Sequence, residues 1–344
     1  MGVQSLPLAA LGAVVLLPLV IFLEGCGTSD QQQPPTTTIV PEDTTTAAPH
    51  STTDTAINAS RRLGSFLVIG DWGWDPQVHG QISSRTCQQA IADAMGQKAR
   101  ELGDVKFVVN VGDSFYPDGV ANRSDPAWAS KWRDVYPEEV RAVPWYSVYG
   151  NHDYHKDPCV CSENLEDCAQ VNGNASDLDY FYMPNTSWYR DHPELDMEVV
   201  ALDTNYLWVE HTCRWTPCPD QCQQNLKLRM EAALGLFYNR TRVSRAQNLL
   251  VFSHYPTDYF WGHPDFLAEL SNATERRIEY FGGHRHNVDQ SSCTSIAPNN
   301  NWLVGGGGGW GCEHYGQEQG FVVGEIGPEG VRTYPVLVNY SLCC

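Results

Sequence analysis

Five short apolar runs along the chain each stop at a polar, glycine-containing segment. Phe66-Leu67-Val68-Ile69 runs into Gly70-Asp71, and Phe107-Val108-Val109-Asn110-Val111 into Gly112-Asp113. Tyr146-Ser147-Val148-Tyr149 runs into Gly150-Asn151-His152, Leu249-Leu250-Val251-Phe252 into Ser253-His254, and Ile278-Glu279-Tyr280-Phe281 into Gly282-Gly283-His284. Their β-branched and aromatic content and flanking glycines predict buried strands. Helical stretches fit between several of them: Cys87 to Leu102, and Gln223 to Phe237 with Leu226, Met230, Ala233 and Phe237 on one face. Strands alternating with helices predict an α/β architecture, in which polar residues at the C-terminal strand ends build the site.

The N-terminus has a different pattern. Leu6 to Leu23 is apolar and uncharged, followed by the small residues Gly25, Cys26 and Gly27. Residues 1–25 read as a signal peptide, with an uncleaved anchor as the alternative. Residues 26–62, rich in Thr and Pro, read as a disordered spacer, and residues 63–344 as a single globular domain. Seven Asn-x-Ser/Thr sequons (Asn58, Asn122, Asn174, Asn185, Asn239, Asn272, Asn339) and 12 cysteines point to the secretory pathway.

At 344 residues and 42% hydrophobic content, the chain can fill a sizeable core. Its net charge of −19 disfavours nucleic acid and acidic membranes. It also makes phosphate an awkward ligand unless something other than Lys and Arg supplies positive charge. Cys159, Cys161 and Cys168 form one cluster, and Cys213, Cys218 and Cys222 another. Each reads as a zinc site or as loop-pinning disulfides, and export favours disulfides. Loss of Cys26 with the signal would leave an odd number, requiring a thiol or an intermolecular bridge.

The strand ends deliver Asp71, Asp113, Asn151 with His152, His254, and His284 with His286; Tyr116 lies three residues beyond Asp113. These are the oxygen and imidazole donors that metals take. One such residue after a strand is usually a turn-former, but five strand ends together predict a metal cluster. His79, His155, His192, His211 and His314 read as surface or loop groups, and Asp203 as structural. Trp72, Trp74 and Trp261 are candidate pocket walls.

Gly70-Asp71-Trp72-Gly73, Gly112-Asp113-Ser114-Phe115-Tyr116, Gly150-Asn151-His152-Asp153, Val251-Phe252-Ser253-His254 and Gly282-Gly283-His284-Arg285-His286 resemble the five ordered motifs of metallophosphoesterases. Tyr116 resembles the tyrosine of the purple acid phosphatases, in their small, mammalian-type tartrate-resistant form. The resemblance implies a four-layer α/β/β/α sandwich with two metals at the sheet edge. Fe(III) would take Asp71, Tyr116 and His286, a divalent Fe, Zn or Mn would take Asn151, His254 and His284, and Asp113 would bridge them. It implies hydrolysis of phosphate monoesters by a metal-bound hydroxide, with His263 as general acid and His152 orienting substrate. The clamp of two cations would supply the positive charge that the composition lacks. The expected enzyme is a secreted or vacuolar/lysosomal acid phosphatase, a monomer that touches membrane only through an uncleaved N-terminal anchor. Rival readings are a Zn/Mn phosphoesterase for diesters or nucleotides, and an inactive surface-binding glycoprotein on the same scaffold. Two Cys-containing segments, Lys156 to about Asp179 and His211 to Cys222, depart from the compact members of the group.

Overall fold

The computed structural model describes residues 62–74, 85–156, 161, 168–171, 180–214, 216–271, 276–290, 300–308, 310 and 317–343. The expected signal peptide, nearly all of the expected spacer, His79 and His314 lie outside these residues.

Two six-stranded sheets carry the fold. Strands β1 (Gly64–Ile69), β2 (Val105–Asn110), β3 (Trp145–Ser147) and β4 (Phe181–Tyr182) run parallel in the first. On its other edge β11 (Gly320–Gly327) and β12 (Gly330–Leu337) add antiparallel, giving the order β12-β11-β1-β2-β3-β4. The second sheet contains β5 (Trp188–His192), β6 (Met197–Leu202), β7 (Asn248–Ser253), β8 (Arg277–Gly282), β9 (Val288–Asp289) and β10 (Asn300–Val304). Its order is β5-β6-β7-β8-β10-β9, parallel from β6 through β10 and antiparallel at both edges.

The period of two along each strand decides which layer each side chain enters. In β1, Phe66 and Val68 point into a core shared with Leu250 and Phe252 of β7 and Phe281 of β8, so the two sheets pack face to face. Leu67 and Ile69 point the other way, against Cys87, Ile91 and Met95 of helix α1 (Arg85–Leu102). In β7, Leu249 and Val251 face Met230, Ala233 and Phe237 of helix α2 (Pro219–Val243) and Phe266 of helix α3 (Pro264–Ser271). The order of layers is helix, sheet, sheet, helix, as the motifs imply. The predicted face of α2 is correct, and Leu226, Met230, Ala233 and Phe237 are all buried.

Both Cys-containing segments are pinned by disulfides. Cys161 pairs with Cys168, Cys213 with Cys222, and Cys218 is bridged as well. A further bridge, Cys87–Cys343, ties α1 to the last turn across 256 residues of sequence. Arg229 on α2 ties the first segment to the end of β6: it contacts Tyr154 Oη, reaches Cys161 Sγ at 3.6 Å and stands 3.9 Å from Asp203. Asp203 is fully buried and accepts from Asn205 Nδ2 at 2.8 Å, a structural part as expected.

Candidate metal centre

The C-terminal ends of β1, β2, β3, β7 and β8 converge where the two sheets meet. The convergence demands unusual backbone. Asp71, Asp113, His284 and His286 all have positive φ, at 56°, 51°, 74° and 52°. Non-glycine residues avoid this region unless the surrounding structure holds them there, which it does mostly at functional sites. Gly150 is required for another reason: a Cβ there would lie 2.1 Å from Asp113 Oδ1.

Seven of the nine predicted site residues form two groups that share Asp113. Around Tyr116 Oη lie Asp113 Oδ2 at 2.9 Å, Asp71 Oδ1 at 3.0 Å and His286 Nε2 at 3.0 Å. Around His254 Nε2 lie Asn151 Oδ1 at 3.0 Å, His284 Nδ1 at 3.2 Å and Asp113 Oδ2 at 3.3 Å. Asn151 Oδ1 is also 3.0 Å from His284 Nδ1. The eighth, His152, stands against the cluster. Its backbone N–H donates to Asp113 Oδ1 at 2.8 Å, its ring crosses that of Tyr116, and its Nδ1 lies 2.6 Å from Pro117 O. The ninth, His263, follows the Thr257–Gly262 turn, and its described ring contact is with Phe260. The structure does not bring His263 into contact with the other eight among the described residues.

The donor set is that of a cation site. One phenolic proton cannot satisfy the three acceptors around Tyr116 Oη. His254 Nδ1 faces the Val111 carbonyl at 3.0 Å and holds a proton there, so Nε2 is the nitrogen that faces the oxygens of Asn151 and Asp113 and meets them through a proton or a cation. Acceptors that face acceptors in a dry interior need a proton or a metal between them. Asp113, His254 and His284 place ligand atoms within 4.8 Å of one another.

The model of the calcineurin-like phosphoesterase family matches residues 64–288, well over half of the chain. The chain belongs to that family. Purple acid phosphatase 3 of Arabidopsis thaliana is 29% identical over 289 residues, 78% of this chain and 68% of that protein. Tartrate-resistant acid phosphatase type 5 of Homo sapiens is 32% identical over 90 residues, and the match spans 26% of either protein. Among solved structures, the 5'-nucleotidase of Candida albicans superposes with a TM-score of 0.41 at 14% identity, over 82% of this chain and 52% of that one.

The protonation pattern of this phosphoesterase follows from burial and crowding. Burial pushes Asp71 well above the usual carboxylate range, and the neighbouring Asp113 charge adds to it. Burial likewise opposes the charge on Asp113, yet the imidazoles of His254 and His152 hold its carboxyl well below that range. For His254 burial favours the neutral ring, but the Asp113 charge and hydrogen bond override it and push the pKa up to about 9. His284 goes far down, through burial and then repulsion from His254. Tyr116 is raised by burial and by Asp113 and Asp71, so its phenolate forms only against an added cation.

Some parts of the site were not legible in the sequence. Trp310 covers the Tyr116 side, with ring centroids 4.3 Å from Tyr116, 4.9 Å from His152 and 5.3 Å from His286. Its only sequence signal is its place just beyond Gly305 to Gly309. His155, read as a loop group, packs on His152 at 4.7 Å. Of the candidate walls, Trp72 is fully buried against Phe115 and Trp145, Trp74 abuts Tyr116 at 6.1 Å, and Trp261 is exposed.

Proposed function

We propose that this chain is an exported acid phosphatase that hydrolyses phosphate monoesters at a two-metal centre. In this reading a ferric ion is held by Asp71, Tyr116 and His286, a divalent iron, zinc or manganese ion by Asn151, His254 and His284, and Asp113 joins the two. The supporting observation is the partition about Asp113, with a phenol and a second carboxylate on one side and an amide and two imidazoles on the other. Hard anionic oxygens suit a trivalent ion, and imidazoles suit a divalent one. Two bound cations supply Lewis acidity toward phosphoryl oxygens and a nucleophile ionised at acid pH.

The chain's own residues would do the rest. His152 has its Nδ1 fixed on the Pro117 carbonyl, which leaves Nε2 to orient a phosphoryl oxygen beside the cluster. His263 would protonate the departing alkoxide. The Trp310 ring keeps bulk water from the Tyr116 side. Export is supported by the Cys87–Cys343, Cys161–Cys168 and Cys213–Cys222 bridges. It is supported also by the exposure of all four sequon asparagines among the described residues, Asn122, Asn185, Asn239 and Asn339.

The test is the visible spectrum of purified protein, before and after a mild reductant, alongside phosphate release from monoesters at acid pH. A broad mid-visible band that shifts on reduction, with turnover, is expected. Turnover by a colourless protein with two bound metals would overturn the ferric assignment. Two bound metals without turnover would overturn the phosphatase reading.

A further inference from the structure

Besides the buried Tyr255, 4.6 Å away, two aromatic rings flank His284. Tyr259 crosses it with ring centroids 5.2 Å apart at 88°, and Trp208 with centroids 5.0 Å apart at 84°. Tyr259 is covered by the Arg285 guanidinium, 5.5 Å from its centroid, and Arg285 is in turn paired with Asp258. Trp208 is supported differently. The His211 imidazole stacks on it almost flat, at 4.0 Å and 9°, and yet the residue stays 40% exposed. The segment behind it is fixed, because the Trp208 carbonyl accepts from Thr212 Oγ1 at 3.3 Å and Cys213 is bridged to Cys222 of α2. A tryptophan is usually well buried. Here the indole is stacked on one imidazole, meets the His284 imidazole of the candidate metal centre with its ring, and still keeps 40% of its surface exposed.

We propose that Trp208 is a specificity-determining residue that stacks the leaving group of aromatic phosphate esters. The inference rests on the phosphatase reading above and names the substrate class that this site favours. Because the Trp208 ring lies 5.0 Å from that of His284, a planar leaving group on a phosphoryl group held beside His284 would be within reach of the indole. Aromatic pairs gain energy beyond simple area burial when rings are offset-stacked or edge-to-face, which a saturated ring cannot reproduce. The indole needs no rearrangement to receive such a ring, because His211 already holds it.

Binding of phosphonates separates recognition from chemistry, since they are not hydrolysed. Phenylphosphonate and cyclohexylphosphonate differ little in size, and inorganic phosphate reports on the metal centre alone. In the wild-type protein phenylphosphonate is expected to inhibit about tenfold more tightly than cyclohexylphosphonate. Trp208→Ala should abolish that preference, Trp208→Phe should keep most of it, and inhibition by inorganic phosphate should be the same in all three. A preference that survives Trp208→Ala, or is absent from the wild type, overturns the proposal. So does an equal weakening of inorganic phosphate by Trp208→Ala, which would make the indole a prop for the centre. Phosphate inhibition without an aryl preference overturns stacking alone. A wild type that inorganic phosphate does not inhibit overturns the phosphatase reading and stacking with it.

Discussion

His254 Nδ1 lies 3.0 Å from the carbonyl oxygen of Val111. The contact joins β7's end to β2's end, and it fixes which nitrogen of a fully buried imidazole is turned toward Asn151 and Asp113, where it could hold a metal. His254→Ala removes that donor and leaves Asp113, Asn151 and His284 in place. Metal analysis after dialysis against limiting metal should show about one ion lost per chain, with the Tyr116 group still loaded. Retention of both ions would remove His254 from the ligand set.

Tyr116 makes a separate prediction. Its hydroxyl is surrounded by acceptors, and burial together with Asp113 and Asp71 keeps it protonated unless a cation displaces the proton. Tyr116→Phe is expected to bleach the mid-visible band of the iron-loaded protein. Because the ring packs against Trp74, His152 and Trp310, Phe retains those contacts and the fold should persist. A variant that kept its colour would place another residue on the iron.

The strand-end residues were legible because each follows directly on a buried run, so a linear pattern already contains their spatial convergence. Asp71 after Ile69 and His254 after Ser253 need only the rule that parallel strands deliver their C-terminal ends to one edge. Trp310 and Trp208 obey no such rule. Trp310 arrives because Gly305, whose added Cβ would stand 2.8 Å from Asp71 Oδ2, lets the backbone pass close to the cluster. Trp208 arrives through a short turn after β6 that the Cys213–Cys222 bridge fixes. The length of α2 was underestimated for a similar reason. The helix continues past Phe237 through the polar Asn239 to Val243, and on this stretch Arg240 Nε pairs with Glu198 Oε1 at 2.7 Å across to β6, a tertiary contact with no local periodicity.

The pH dependence of the metal-free protein follows from His254. Its folded pKa of about 9 lies above the ordinary 6.5, so the folded state prefers the protonated ring. That contribution is fully present below about 6.5 and is lost as pH rises through about 9. Urea midpoints of chelated protein should fall between these two pH values, and His254→Ala should remove this part of the slope. Loading the centre with metal displaces the proton, so the loaded protein should show a flatter profile and metal uptake at neutral pH should release protons.

Covalent and metal contributions can be separated at Cys87–Cys343. The bridge closes a loop spanning 256 residues, and neither cysteine is a candidate ligand. In the chain-entropy account, replacing both cysteines by Ser costs about 5–6 kcal/mol. Chemical denaturation should show a lower midpoint with metal content unchanged. Loss of metal in the folded double variant would mean that α1 holds the centre together more directly than its packing on Leu67 and Ile69 implies.

The two histidines outside the ligand groups divide by leaving group. His152 touches Asp113 and Tyr116, so in the proposed reading it serves the phosphoryl group common to every substrate. His263 lies at the end of the turn carrying Tyr259, whose ring meets His284, and in the proposed reading it serves the departing oxygen. His152→Ala should therefore lower kcat/KM by about 100-fold for all esters, within the usual range for a positioned catalytic group. His263→Ala should slow alkyl esters, whose alkoxides need a proton, by about 100-fold, and aryl esters with acidic phenols by far less. If both variants slow both ester classes equally, His263 is not the general acid. Protonation would then fall to His152, the histidine already against the cluster.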